Sequence, residues 1–193
     1  MIAYKGFTED LCSVMGDGKE ENCRFRLNET KTVDESKTGR NGFHCCENPT
    51  GCLTYYPMDG KNRFFKVEAA GDINEDAGER IACTEITLLQ ELAPMDFAAE
   101  TMRYIINHPD RSAWESTRGD VNVQKDEANA GRRDCIAIAR GADPVVTGAE
   151  GSIAGFLLEK DGQIVQCKLI RITSELAGKR LHIGKDRKVV PEE

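Results

Sequence analysis

Glycines at positions 141, 148, 155 and 162 recur at a seven-residue spacing through CIAIARG-ADPVVTG-AEGSIAG-FLLEKDG, and small or apolar residues fill the intervals. Seven residues are too few for a helix and its turn. They suit a strand of about four or five residues closed by a bend in which glycine supplies a positive φ. On this reading the C-terminal half is a short, mostly β, solenoid-like or roll-like domain built by stacking one brief unit. Composition agrees with thin layers: aromatics are only 6% and charged residues 31%, so the core must come mainly from Ile, Leu, Val, Ala and Cys.

The N-terminal half reads differently, as an α+β domain over residues 1–93. MIAYKGF suits a first strand, and Ser13 to Asn41 forms a long polar insertion in which only CRFRL looks extended. NGFHCCENP brings a turn, a short strand and a break, and TGCLTYYP gives one or two helical turns before Pro57. RFFKVEAAG and IACTEITLLQEL alternate as strands and pair as an antiparallel hairpin across GDINEDAGE. A linking helix follows over 94–109, with Met95, Ala98, Met102, Ile105 and Ile106 at helical spacing. Residues 110–193 form the solenoid-like domain. Ser112-Ala113 and Thr117-Arg118-Gly119 read as weak rungs, and QIVQCKLIRI closes the coil.

The formal charge is −7, and basic residues cluster only briefly, at Arg132-Arg133 and around Lys185 to Lys188. A nucleic-acid partner is disfavoured, because its affinity comes from a basic surface. No apolar run approaches the ~20 residues that span a bilayer. MIAYKGFTEDLC lacks a basic region followed by an apolar one. The expectation is a cytoplasmic protein without membrane contact, with a protein partner or self-association through exposed strand edges.

Of eight cysteines, Cys83, Cys135 and Cys167 sit in apolar strands and read as core. Cys12, Cys23, Cys45, Cys46 and Cys52 accompany His44, but no C-x-x-C pair occurs, so buried thiols and no metal are expected. Phosphate-binding, dinucleotide-binding and nucleophile-elbow motifs are absent, and no cofactor is expected.

The elements Tyr4 to Phe7, Gly42 to Pro49, Tyr55 to Pro57 and Val67 to Gly71 resemble a family of uncharacterised phage and gut-bacterial proteins, with YKGF, G-F-H-x-C-E-N-P, Y-Y-P and V-E-A-x-G blocks. The resemblance covers about residues 1–93 and implies an architecture without an activity. RSAWESTRG, CIAIARG and GAEGSIAGFLLE are similar to that family's Ser/Ala/Gly repeats, although Trp114 and NVQKDEANAGRR interrupt the regularity. The repeat style also resembles trimeric adhesin heads.

A fainter resemblance, to ADP-ribosyltransferases, implies four candidate residues in the N-terminal half. Tyr4-Lys5-Gly6 matches the first strand, with Lys5 where arginine or histidine is usual. Gly42-Phe43-His44 matches the second, Leu53 to Tyr56 the short helix, and Glu85 the late glutamate. Lys5, His44, Tyr56 and Glu85 would then hold an NAD-derived ribose and steady an oxocarbenium-like centre. Each also has a structural reading. His44 pins a turn, Asn48 closes an Asx-type turn, one of Tyr55 and Tyr56 packs inward, and Glu85 shares a face with Ile81 and Cys83, where Lys5 could hold it. A binding or structural module leads these readings, and an NAD-using enzyme is the alternative.

Overall fold

The computed structural model describes residues 1–14, 24–75, 80–111 and 114–192. The chain divides into two compact units, Met1–Ala93 and Pro94–Glu193. The described residues are mostly β, with 51% of them in strands or bridges.

In the first unit, β1 (Ile2–Phe7), β2 (Thr30–Thr32), β3 (Phe43–Cys46), β4 (Arg63–Glu75) and β5 (Arg80–Glu91) form one antiparallel sheet. Its order is β2-β5-β3-β1-β4, and β4 pairs again with β5. The ring β5-β3-β1-β4 is therefore a small closed barrel, with β2 added outside it along β5. The α+β expectation for this unit is corrected by that closure: the segment read as helix is a 3-10 helix of six residues, Pro49–Thr54, lying against β1 and β3. Asn48 caps it, its Oδ1 accepting the Thr50 N–H at 3.1 Å, and Pro49 opens it.

Closure follows from the length of β4 and β5. The strand read as ending at Gly71 runs on to Glu75, so the hairpin is long enough to curl and accept β1 on one edge and β3 on the other. A β-bulge on β4 sharpens the curl. Ala70 faces Glu85 and Ile73 faces Cys83, so Gly71 and Asp72 together oppose Thr84, one residue in excess, with Gly71 at φ +72°. The Asp72 N–H donates to Thr84 Oγ1 at 2.8 Å. Ala3, Phe7, Cys45, Phe65, Val67, Ala69, Ile81, Cys83, Ile86 and Leu88 fill the interior with Phe25.

In the second unit, α1 (Pro94–Asn107) precedes β6 (Ser116–Arg118), β7 (Val121–Ala130), β8 (Ile136–Gly148), β9 (Ile153–Lys160), β10 (Gln163–Arg171), β11 (Leu181–Ile183) and β12 (Val189–Pro191). β7, β8 and β9 are parallel neighbours, with β6 and β10 antiparallel on the outer sides. β11 joins the second half of β8 and pairs with β12.

The seven-residue rung is overturned. Val121 lies opposite Ile136 and Ile136 opposite Ile153, so each pass of the chain takes 15 and then 17 residues. The four glycines have unrelated places. Gly141 and Gly148 lie in β8 and Gly155 in β9, and only Gly162 occupies a turn with positive φ, at +78°. Close packing accounts for Gly155: a Cβ there would come within 2.8 Å of Met102 Sδ and 2.9 Å of Ile138 Cγ1. The apolar run CIAIAR arises because β8 is covered on both faces, as parallel strands usually are. α1 lies over β8, β9 and β10, while Ala137, Ala139, Ala154 and Phe156 face a second core with Leu181.

Two further expectations change. Ser112-Ala113 lies outside the described residues, while Thr117 and Arg118 belong to the antiparallel strand β6. Cys167 is exposed on β10, unlike the buried Cys83 and Cys135.

Candidate functional site

Lys5 is the residue that the barrel treats most unusually. It lies in the middle of β1 on the Ala3 and Phe7 face, because strand side chains alternate, and it is only 5% exposed. Its Nζ donates to the His44 carbonyl at 2.7 Å and to Ser13 Oγ at 3.3 Å, and lies 5.3 Å from the centre of the Phe7 ring. Among the described residues, no carboxylate comes within ion-pair range of it.

Burial pushes the Lys5 amine below its ordinary range. The groups that could oppose this are the thiols of Cys45, Cys52, Cys46 and Cys83. To do so they would have to be thiolates. The Cys45 thiol is pushed well up by its contact with Cys83 and by burial, and that of Cys52 by its contact with Cys46 and by burial. The Cys83 thiol is lowered by the same contact with Cys45, yet burial is the largest influence on Lys5, and desolvation prevails there.

A cavity of about 30 Å³ has Lys5 in its lining. Tyr4, Lys5 and Gly6 line it from β1, His44, Cys45 and Cys46 from β3, and Cys52, Tyr55, Tyr56 and Arg80 complete it. The volume suits about two water molecules or a ligand of a few non-hydrogen atoms. Tyr56 is buried while Tyr55 is 36% exposed, so one ring packs and the other borders solvent. The Tyr56 ring lies across Gly6, where a Cβ would meet Cδ2 at 2.5 Å. Its hydroxyl accepts the Val14 N–H at 2.8 Å and lies 3.4 Å from Ser13 Oγ. A continuous polar path therefore runs from Lys5 Nζ through Ser13 to Tyr56. Arg80 Nη1 approaches the Tyr55 hydroxyl at 3.5 Å.

His44 contributes in two ways. Its carbonyl holds Lys5, and its Nε2 accepts the Gly39 N–H at 2.9 Å, which pins the turn ahead of β3. Burial, with Lys5 and Arg80 nearby, lowers its pKa, so the ring is neutral at pH 7.

Three of the four sequence candidates, Lys5, His44 and Tyr56, thus meet at one cavity. Glu85 does not. Opposite the bulge the inward set of β5 changes from Ile81 and Cys83 to Ile86 and Leu88, and Glu85 faces outward, where it is exposed beside Gly71. Sequence reasoning passed over Ser13 and Arg80. Arg80 had a usable signal, since it immediately precedes the apolar strand that pairs with β3 and lies opposite Cys46. Ser13 had none, because only the loop's return over the barrel brings it to Lys5.

The cavity lining contains no carboxylate among the described residues. Lys5 and Arg80 bring donors, the Tyr55 and Tyr56 hydroxyls can donate as well as accept, and His44 presents acceptors that Lys5 and Gly39 already occupy. That arrangement is complementary to a small anion. A broader depression in the second unit, bordered by Asp120, Arg132 and Cys135, differs: Asp120 is paired with Arg132 and accepts from Cys135 Sγ at 3.3 Å. No group of three or more metal-ligating side chains occurs among the described residues, and no helix there is long and apolar enough to cross a membrane.

No curated protein matches the chain. A family described as a domain of unknown function, DUF7666, matches residues 1–100, a stretch that contains the whole barrel and its lysine cavity, and the chain belongs to that family.

Proposed function

We propose that the protein is a binding module whose N-terminal barrel takes a small anionic ligand at Lys5. The observation that carries this reading is a lysine 5% exposed, bordering a cavity, with no carboxylate partner among the described residues. A buried ammonium needs compensation, and it has two outlets: it loses its proton, or it acquires an anion. The donors of Arg80, Tyr55 and Tyr56 favour the second outlet when an anion is present. A ligand of acetate size fits the cavity, whereas a dinucleotide is far larger. With Glu85 on the outer face of the barrel, the geometry favours binding over ADP-ribosyl transfer.

Thermal unfolding of the full chain in sodium acetate, compared with sodium chloride at equal ionic strength, tests the reading. Acetate raises Tm in the wild type through ligand linkage, and Lys5→Met removes that rise. Equal responses in the two salts would refute it.

A second reading concerns self-association and rests on β10. Its only partner strand among the described residues is β9, and Val165 on it is 56% exposed. An open edge with an exposed apolar residue is a template for pairing, here with β10 of a second copy. Elution volume that falls with protein concentration, and that Val165→Lys makes constant, supports this reading. A monomer at every concentration refutes it.

A further inference from the structure

The geometry points to Lys5 as a covalent site that forms a Schiff base with a small carbonyl-bearing acid of glyoxylate size. This rests on the reading of the barrel as an anion site and names the ligand class. Imine formation needs an uncharged amine, a path for protons, and a grip on the rest of the carbonyl compound. The barrel shifts Lys5 toward the first and offers groups for the other two.

The amine is held below its ordinary protonation range by burial. Of the three positions around Nζ, one is spent on the His44 carbonyl and one on the Ser13 hydroxyl. A third position has no hydrogen-bond partner among the described residues, Lys5 lines the cavity, and in the neutral amine a lone pair occupies that position. Ser13 Oγ joins Nζ to the Tyr56 hydroxyl through contacts of 3.3 and 3.4 Å. Hydroxyl groups both donate and accept, so this path moves a proton either way without developing a buried charge. Arg80 and Tyr55 lie on the same cavity and suit a carboxylate.

The step balances without an oxidant or reductant. The Nζ lone pair bonds to the carbonyl carbon, and the carbonyl π pair moves to oxygen. That oxygen takes the proton released by nitrogen along the Ser13 and Tyr56 path, giving a carbinolamine. Protonation of its hydroxyl lets the nitrogen lone pair expel water, and loss of the remaining nitrogen proton leaves the imine. One amine and one carbonyl compound give one imine and one water. Cys45 and Cys52 do not compete, because burial keeps both as thiols.

The experiment treats the full chain with glyoxylate and then sodium cyanoborohydride at neutral pH, and locates the reduced adduct by peptide mapping. The expected result is one adduct per chain at Lys5, formed at least about tenfold faster than at any exposed lysine, whose amines are protonated at that pH. Added acetate slows it by competing for the site. Ser13→Ala slows trapping about tenfold through the lost proton path while keeping the acetate effect on Tm, since Ser13 is not among the donors that line the cavity. Adducts spread over surface lysines, or no adduct at Lys5, would overturn the inference. If the acetate response still depends on Lys5, the anion site stands and only the imine falls. If that response is absent too, both fall.

Discussion

An ammonium group taken from water into an apolar barrel loses hydration that costs several kcal/mol after relaxation. At Lys5 the replacement is one carbonyl and one hydroxyl. Replacing it with an apolar side chain of similar length should therefore stabilise the fold. Lys5→Met is expected to raise unfolding free energy by about 1 kcal/mol in denaturant melts, the lost bond to His44 offsetting part of a larger gain. The pH dependence has a definite sign. The folded pKa lies below the unfolded value of 10.5, so between the two the unfolded chain binds more protons and stability rises with pH. The wild type should gain stability from neutral pH up to about 10.5 relative to Lys5→Met. The difference between the two proteins isolates Lys5 from the other titrating or charged groups around it, Cys45, Cys46, Cys52, Cys83, His44 and Arg80. Gly6→Ala tests the other wall. Its Cβ would stand 2.5 Å from the Tyr56 ring, so a loss of about 2 kcal/mol is expected, with a weaker acetate response as Tyr56 moves. At this scale much of the site was legible. Lys5, His44 and Tyr56 stood out by residue type beside glycine, aromatic and apolar neighbours. That Lys5 lacks a carboxylate was not legible, because strand alternation assigned Glu85 to the inner face and only the bulge turns it out.

Elements decide where those side chains go. Opposite the excess residue on β4 the buried set of β5 changes, and Glu85 is left on the outer face. Gly71 has φ +72°, and a Cβ there would meet Thr84 Oγ1 at 2.1 Å. Gly71→Ala should destabilise the barrel by about 2 kcal/mol or more in denaturant melts. A change within about 0.5 kcal/mol would mean that the bulge relaxes easily. In the second unit, Gly155 lets α1 approach β9, and filling that space displaces Met102 and Ile138. Strands and the helix could be located from the sequence because period-2 and helical patterns are local. Closure of β1, β3, β4 and β5 into a ring could not, since it depends on pairings between residues as far apart as Ile2 and Glu68. β7 escaped notice for a related reason. Its apolar residues come in two short sets, Val121 with Val123 and Ala128 with Ala130, separated by Asp126 at φ +63°. The glycine period misled because its members serve separate purposes: a close approach to the helix at 155, a turn at 162, and strand positions at 141 and 148.

For the whole molecule, the division at Ala93 predicts that the barrel is a self-sufficient folding unit. A fragment of residues 1–93 should fold cooperatively and retain the acetate response; an unfolded fragment would show that the barrel depends on the rest of the chain. The net charge of −7 does little to repel a small anion at physiological salt, where exposed charges are screened over about 8 Å. Selectivity then resides in the local donors at the cavity. The most direct measurement follows protonation of the Lys5 amine itself, by NMR of its Nζ and Cε in isotope-labelled full-length protein, with Lys5→Met for assignment, in the absence and presence of acetate. The predicted result is a titration midpoint below that of the exposed lysines, moving upward as acetate fills the site. A Lys5 amine that titrates with the surface lysines and is indifferent to acetate would contradict the account.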